Sequence, residues 1–244
     1  MPMNNIKNRI IFSMVIMLVV AGLLPGCLPV RVTGSGNIIE RTFNFVDFSK
    51  VRISYGFTAE VKQSSTYGVK VTADDNLFDY IIVKKDGDTL SIGLKAGSYE
   101  QSHFQATVMM PSLRSLELSD GGRTEVSGFS SADDLSIKLS DGTKLSGNLT
   151  AGNVDITLTD GSRVELGGSA NNIKIISHDG SQAYLKDFSV VDTDLNIVDG
   201  GLVTIDVSGV LNASLSAGSR VIYKGNPTMG DIKLSSGATL SQSE

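Results

Sequence analysis

The sequence predicts an all-β fold: a single-stranded parallel β-helix of about 20 residues per coil, with an N-terminal β-rich capping region. Three observations predict it. First, a short phrase ending in a turn recurs seven times, as in Leu116-Glu-Leu-Ser-Asp-Gly121, Ile137-Lys-Leu-Ser-Asp-Gly142 and Ile156-Thr-Leu-Thr-Asp-Gly161. Second, the residue before the glycine stands at 120, 141, 160, 179, 199, 217 and 236, in steps of 21, 19, 19, 20, 18 and 19. Third, apolar and polar residues alternate on both sides of that turn, the period of a strand with one buried face. One such unit cannot bury its apolar face alone, whereas stacked copies form a continuous core. The repeat is too short for a propeller blade of roughly 40 residues. A sandwich of Asp-Gly hairpins is the structural alternative, but hairpins do not require the same columns to recur at one interval over seven copies. A right-handed coil is expected by analogy alone.

Composition narrows the chemistry. The 244 residues contain one Cys, two His and no Trp, with a net charge of −5. A single cysteine excludes an internal disulfide framework and a cysteine-based zinc cluster. The acidic balance argues against nucleic acid as a partner, because a phosphate backbone calls for clustered Lys and Arg.

Residues 1–26 read as a lipoprotein signal peptide. Lys7 and Arg9 form its basic start, and residues 10–24 its apolar run, too short to span a bilayer that needs about 20 apolar residues. The lone cysteine follows in Leu24-Pro25-Gly26-Cys27, which resembles the bacterial lipobox. That resemblance implies acylation of Cys27 with palmitate-type chains and cleavage before it. The mature balance is then 19 basic against 26 acidic residues, or −7. Two or three acyl chains anchor stably, at about 0.8 kcal/mol per buried CH₂. Residues 27–36 read as acylated Cys and tether. Leu28 stands where an Asp would resemble an inner-membrane retention signal, so a lipid anchor in the outer membrane is expected, on the periplasmic face or the cell surface.

Residues 37–113 form the β-rich region, with candidate strands at 38–45, 51–55, 58–63, 69–73, 80–84, 89–94 and 104–109. Its aromatic residues Phe43, Phe45, Phe48, Tyr55, Phe57, Phe78 and Tyr80 are candidates to cover the end of the solenoid against edge pairing. Residues 114–244 form the coils. Four positions before each turn residue stand Leu116, Ile137, Ile156, Ile175, Leu195, Ala213 and Ile232; two before stand Leu118, Leu139, Leu158, Ser177, Ile197, Leu215 and Leu234. Both columns should face the core, as should those beginning at Thr124 and Val126 after the turn. Strands after Ile232 end the stack and offer an edge to another chain; the oligomeric state is unknown from sequence.

Several of these segments together carry a family likeness. Gly34-Ser-Gly-Asn37, Val51-Arg-Ile-Ser-Tyr-Gly-Phe-Thr-Ala-Glu-Val61, Val69-Lys-Val-Thr-Ala-Asp-Asp-Asn-Leu77, Asp88-Thr-Leu-Ser-Ile92 and Met110-Pro-Ser-Leu-Arg-Ser-Leu116 resemble the "putative auto-transporter adhesin, head GIN domain" family, from about Val46 to the end. The resemblance implies a β-helical cell-envelope lipoprotein and supplies no catalytic residues.

The main chemical candidate is the ladder Asp120, Asp141, Asp160, Asp179 and Asp199 along one edge. Neighbouring coils could offer carboxylates and carbonyls to Ca²⁺, or acid and base groups in an arrangement similar to β-helical pectate lyases and polygalacturonases. The plainer reading is that each Asp bonds its own turn before a glycine that tolerates positive φ. Carboxylates about 4.8 Å apart in water repel by only roughly 0.9 kcal/mol. Three residues on, Arg123, Lys144, Arg163 and Arg220 form a basic column expected to neutralise the ladder without a metal. His178, beside Asp179, and His103 lack a nucleophile in a matching column. Gly121-Gly122 and Gly167-Gly168 lack the following helix of a phosphate loop, so no cofactor is expected. Tyr223 falls in an inward column and Tyr184 in an outward one, which makes Tyr184 the candidate ligand contact. The expectation is a non-enzymatic envelope module, an adhesin presenting a polar face to a glycan or protein. The alternatives are a polysaccharide lyase or hydrolase using the Asp ladder, and a periplasmic structural or signalling partner.

Overall fold

The computed structural model describes residues 31–243, so Cys27 and segment 1–26 lie outside the described residues. Strand accounts for 63% of the chain and helix for 3%, and the architecture is a stack of parallel rungs. Strands Ser115–Leu118, Leu135–Leu139 and Asn153–Leu158, then residues 172–177 and 192–197, then Val210–Leu215 and Thr228–Leu234 pair in parallel down one side. These seven rungs are separated by six turns of about 20 residues. Leu116, Ile137, Ile156, Ile175, Leu195, Ala213 and Ile232 are direct partners in register. The second predicted column, from Leu118 to Leu234, pairs in the same way. Down the next side, Thr124, Leu145, Val164, Ala183, Val203, Val221 and Leu240 form a third in-register column. Most of these side chains are fully buried, and the parallel pairing excludes the hairpin alternative for the coils.

The two sides meet at the Asp-Gly turns. Asp120, Asp141, Asp160, Asp179 and Asp199 have φ of 53–61°, and the glycines that follow are also at positive φ. Positive φ at both central residues is the signature of a type I′ turn, for which Asp-Gly is a favoured pair. The closing bonds are present, with the Thr143 N–H donating to the Ser140 carbonyl at 3.2 Å and the Ser162 N–H to the Thr159 carbonyl at 3.1 Å. The turns also stack: the Gly142 N–H donates to the Asp160 carbonyl, Gly161 to Asp179 and Gly180 to Asp199, at 2.9–3.0 Å. Beneath them runs an internal row of hydroxyls, Thr143, Ser162, Ser181 and Ser219, all fully buried. Ser162 Oγ donates to the Leu139 carbonyl at 3.2 Å and Ser219 Oγ to the Ile197 carbonyl at 3.0 Å, which meets the requirement that buried hydroxyls be bonded.

A third, short side closes each coil. Leu149, Gly168 and Phe188 stack in register there, as do Ala170 and Val190, and Leu149, Ala170, Phe188, Val190 and Val207 fill the corner from inside.

The ladders continue into the N-terminal region in an order different from that of the chain. Lys50–Ile53 pairs with Ser115–Leu118 on one side and with Thr89–Leu94 on the other. Thr58–Gln63 likewise lies between Arg123–Ser127 and Phe104–Met110. The rung built from residues 50–63 is therefore an eighth copy, with Tyr55-Gly56 as its turn at φ 64° and 70°, and the rung from residues 89–110 lies outside it. Antiparallel strands then finish this end. Ile38–Phe43 pairs with Gly68–Asp74, which pairs with Phe104–Met110, while Ile81–Asp86 pairs with Thr89–Leu94. Of the aromatic residues expected to cover the end, Phe48 and Phe57 are core residues. Phe78 does serve at the cap, under the Arg41 guanidinium at 4.2 Å. Tyr55 does not: it stands on the turn edge, 40% exposed.

Residues 31–36, expected in the tether, are docked on the body. Arg31–Thr33 pairs in parallel with Ser98–Glu100. The Gly36 N–H donates to Asp74 Oδ1 at 2.7 Å, Ser35 Oγ to Asp75 Oδ1 at 2.5 Å and Asn37 Nδ2 to Asp75 Oδ2 at 2.8 Å. This latch joins two of the segments that carry the family likeness. The Ser35 hydroxyl first, then the Asn37 amide, lower the Asp75 pKa below its ordinary 3.8. A depressed carboxyl stabilises the latch above its unfolded pKa and loses that contribution as pH falls through the folded value. An NMR titration of the Asp75 carboxyl is expected to give a midpoint below 3.8 that moves up towards it in Ser35→Ala. An unchanged midpoint in that variant would refute the latch.

Candidate functional site at the turn edge

The five ladder aspartates lie along one exposed edge, as read from sequence, and the geometry assigns their backbones to the turns. Ser119 Oγ donates to Asp120 Oδ2 at 2.8 Å and Ser140 Oγ to Asp141 Oδ2 at 2.6 Å. Among the described residues, no three His, Cys, Asp or Glu side chains gather at one point able to hold a metal ion. The basic column does not neutralise the ladder: none of the five ladder aspartates takes part in an ion pair within 4.0 Å among the described residues. The reason is direction. Arg163 stands on the strand after the turn, where it pairs with Glu165 at 3.0 Å and lies over the Tyr184 ring at 4.0 Å. Tyr184 is outward, as expected, and half-buried, but the guanidinium covers one of its faces. Tyr223 is inward and packs against the core. His178 is half-buried beside the exposed Asp179.

The structure adds a feature that the repeat pattern did not point to. The regular stack of turns ends at Tyr55-Gly56, because the next rung replaces the two-residue turn by residues 95–103. The interruption opens a cleft of about 450 Å³, bordered by Tyr55, Tyr99, His103, Gln105, Thr58 and Asp120. Asp120 is the ladder residue that reaches it. Behind the cleft, Tyr99 meets Tyr80 edge-on at 5.8 Å and Phe104 at 5.9 Å, and Phe104 packs on the core residue Phe57 at 5.3 Å. The loop is pinned from below by Asp74, which is 1% exposed and whose Oδ2 accepts the His103 N–H at 2.8 Å. Burial first, then the neighbouring Tyr80 and Tyr55 phenols, push the Tyr99 hydroxyl above its usual pKa of 10.0. It therefore remains a donor, bonded to the Lys95 carbonyl at 2.6 Å. The signal for this site was available: Val51-Arg-Ile-Ser-Tyr-Gly56 obeys the same columns as the Asp-Gly copies, with Tyr in the aspartate's place. A smaller recess on the adjoining side gathers Asn153, Asn172, Lys174, Asp192, Asp194 and Asn212, with the Asn172 amide donating to Asn153 Oδ1 at 2.8 Å.

Solved structures share this fold. A putative adhesin from Bacteroides fragilis aligns with a TM-score of 0.78 at 18% identity, over 87% of this chain and 100% of that one. A putative lipid binding protein from Parabacteroides distasonis aligns at 0.72 and 18% identity, over 88% and 100% of the two chains. A putative adhesin from Parabacteroides merdae aligns at 0.69 and 15% identity, over 88% and 99%. No curated protein matches this chain. The sequence from residue 47 to 227 matches the family described as "Putative auto-transporter adhesin, head GIN domain", and the chain belongs to that family.

Proposed function

We propose that the chain is a non-enzymatic binding module of the cell envelope, an adhesin held in the outer membrane by acylated Cys27 and presenting its turn edge to a glycan or protein. The observation that carries this reading is the makeup of the cleft at Tyr55. It joins the exposed Tyr55 ring and the half-buried Tyr99 ring to the hydrogen-bonding groups of Thr58, His103, Gln105 and Asp120 on a rigid stack, an arrangement suited to holding a ligand. The family description, and the adhesin and lipid-binding descriptions of the structural relatives, agree with a binding role. Among the described residues no helix is long and apolar enough to cross a membrane. Three residues separate Cys27 from the strand at Arg31, a reach of roughly 13 Å. The capped end thus lies next to the membrane and the last rungs project away from it.

Labelling of cells with palmitate is expected to tag the wild-type chain and to miss Cys27→Ala. Cells displaying the wild-type chain should adhere to immobilised glycoprotein or matrix protein, and retain adhesion with Asp160→Asn plus Asp179→Asn. An unlabelled wild-type chain would refute the anchor. Absence of adhesion to every coat would refute the binding role.

A further inference from the structure

The cleft at the end of the turn edge supports a more specific assignment, which rests on the binding role proposed above. Eight turns stack along this edge, and the first central position is Asp in five of them, Ala217 and Ser236 in two, and Tyr55 in the eighth. An aromatic residue at a φ of 64° is strained, since bulky side chains avoid the left-handed region. The strained ring is also exposed, at 40%, and it borders the cleft. Strain held at a recess is a mark of function when an observed outlier is the starting point.

The lining states the class of ligand. Tyr55 and Tyr99 supply aromatic surface, while Thr58, Gln105, His103 and Asp120 supply donors and acceptors around it. Among the described residues no Lys or Arg borders the cleft, so a phosphate, sulfate or uronate would find no cation among them. A pyranose ring matches both halves of the site. Its C–H face is apolar enough to lie on an aromatic ring, and its equatorial hydroxyls are placed to bond a carboxylate and an amide at the rim. A volume of about 450 Å³ falls within the range of small-molecule clefts. We infer that this cleft binds a neutral pyranose, with Tyr55 as its stacking platform and Asp120 and Gln105 as hydroxyl partners.

The test uses the full chain in detergent and saturation-transfer NMR with maltotriose, cellotriose, laminaritriose, mannotriose and chitotriose. At least one trisaccharide is expected to bind, and Tyr55→Gly to weaken that binding at least tenfold. Glycine removes the ring and relieves the positive φ, so this variant should unfold at the same temperature as wild type or higher. Met229→Ala, exposed on the last rung, should bind as wild type does. The assignment is overturned if no trisaccharide binds, if Tyr55→Gly binds normally, or if Met229→Ala loses binding equally. A chain that ignores every trisaccharide yet still adheres to protein coats would overturn this assignment and leave the envelope-binding role standing.

Discussion

Gly147→Ala is expected to destabilise the protein by about 4 kcal/mol or more, at the upper end of what single substitutions do. Gly147 has a φ of +138°, and a β-carbon built there would stand 1.9 Å from the Val126 carbonyl oxygen and 2.9 Å from its nitrogen. Both atoms belong to the backbone of the rung before it, to which Gly147 is paired in register. No side-chain rotation relieves such a contact, so two rungs must part. Gly142→Ala is the informative comparison. It sits on the turn edge at φ +70° with nothing within 4 Å of the added carbon, so only the left-handed backbone penalty of about 1–2 kcal/mol applies. Urea unfolding of the two variants should separate them clearly. Equal losses would mean that the close approach of the rungs at Gly147 is wrong.

The second large effect is Phe188→Ala, expected to cost about 3–5 kcal/mol. Phe188 is completely buried on the short side, paired with Gly168, where no side chain is available to share its volume. Its neighbours are held by the ladders above and below, so the cavity cannot collapse. Phe188→Leu keeps most of the volume and should lose less. A stacked fold is stabilised mainly between nearest neighbours, so the damage should be local. Hydrogen exchange in Phe188→Ala should quicken first across the rungs between 163 and 207 and leave Val51, Ile53 and Val61 protected. Uniform loss of protection along the whole stack would contradict that picture.

The columns of the coils were legible because a strand repeats every two residues and the Asp-Gly pair marks phase. Once aligned on position 120, 141 or 160, each inward residue falls beside its counterpart in the rungs above and below. What lacked such marks was missed. The short side around Leu149 and Phe188 is two or three residues per coil, too brief to show a period. The inner row of Thr143, Ser162, Ser181 and Ser219 is polar, and polarity alone reads as outward; its carbonyl partners become visible only when the coil closes. The rung at Tyr55 escaped because Tyr replaces Asp and about 50 residues separate it from the next copy. The aspartates were placed on the correct edge, but one of the five, Asp120, reaches the cleft. The rest of that site comes from Tyr55, Gly56 and Thr58 of the eighth copy and from residues 94–105, whose loop at 95–103 belongs to no repeat. The family segments Gly34-Ser-Gly-Asn37 and Asp74-Asp75-Asn76 could be recognised as landmarks before anything showed that they bind each other.

The reversed order of the first two rungs gives assembly a direction. Lys50 pairs with Thr89, and Thr58 with Gln105 and Arg123, partners 39, 47 and 65 positions away along the chain. Later partners are about 20 apart. Closing a long loop must precede any reward from the contacts it makes, which slows folding. The capped end is therefore the slow nucleus, formed only after residues up to about 127 are available to complete both neighbours of the 50–63 rung. From there each further coil finds a finished template one repeat away and zips onto it. Folding runs from the latch outwards, and unfolding by fraying starts at Thr228–Leu234 and Thr239–Gln242, the rungs with a neighbour on one side alone.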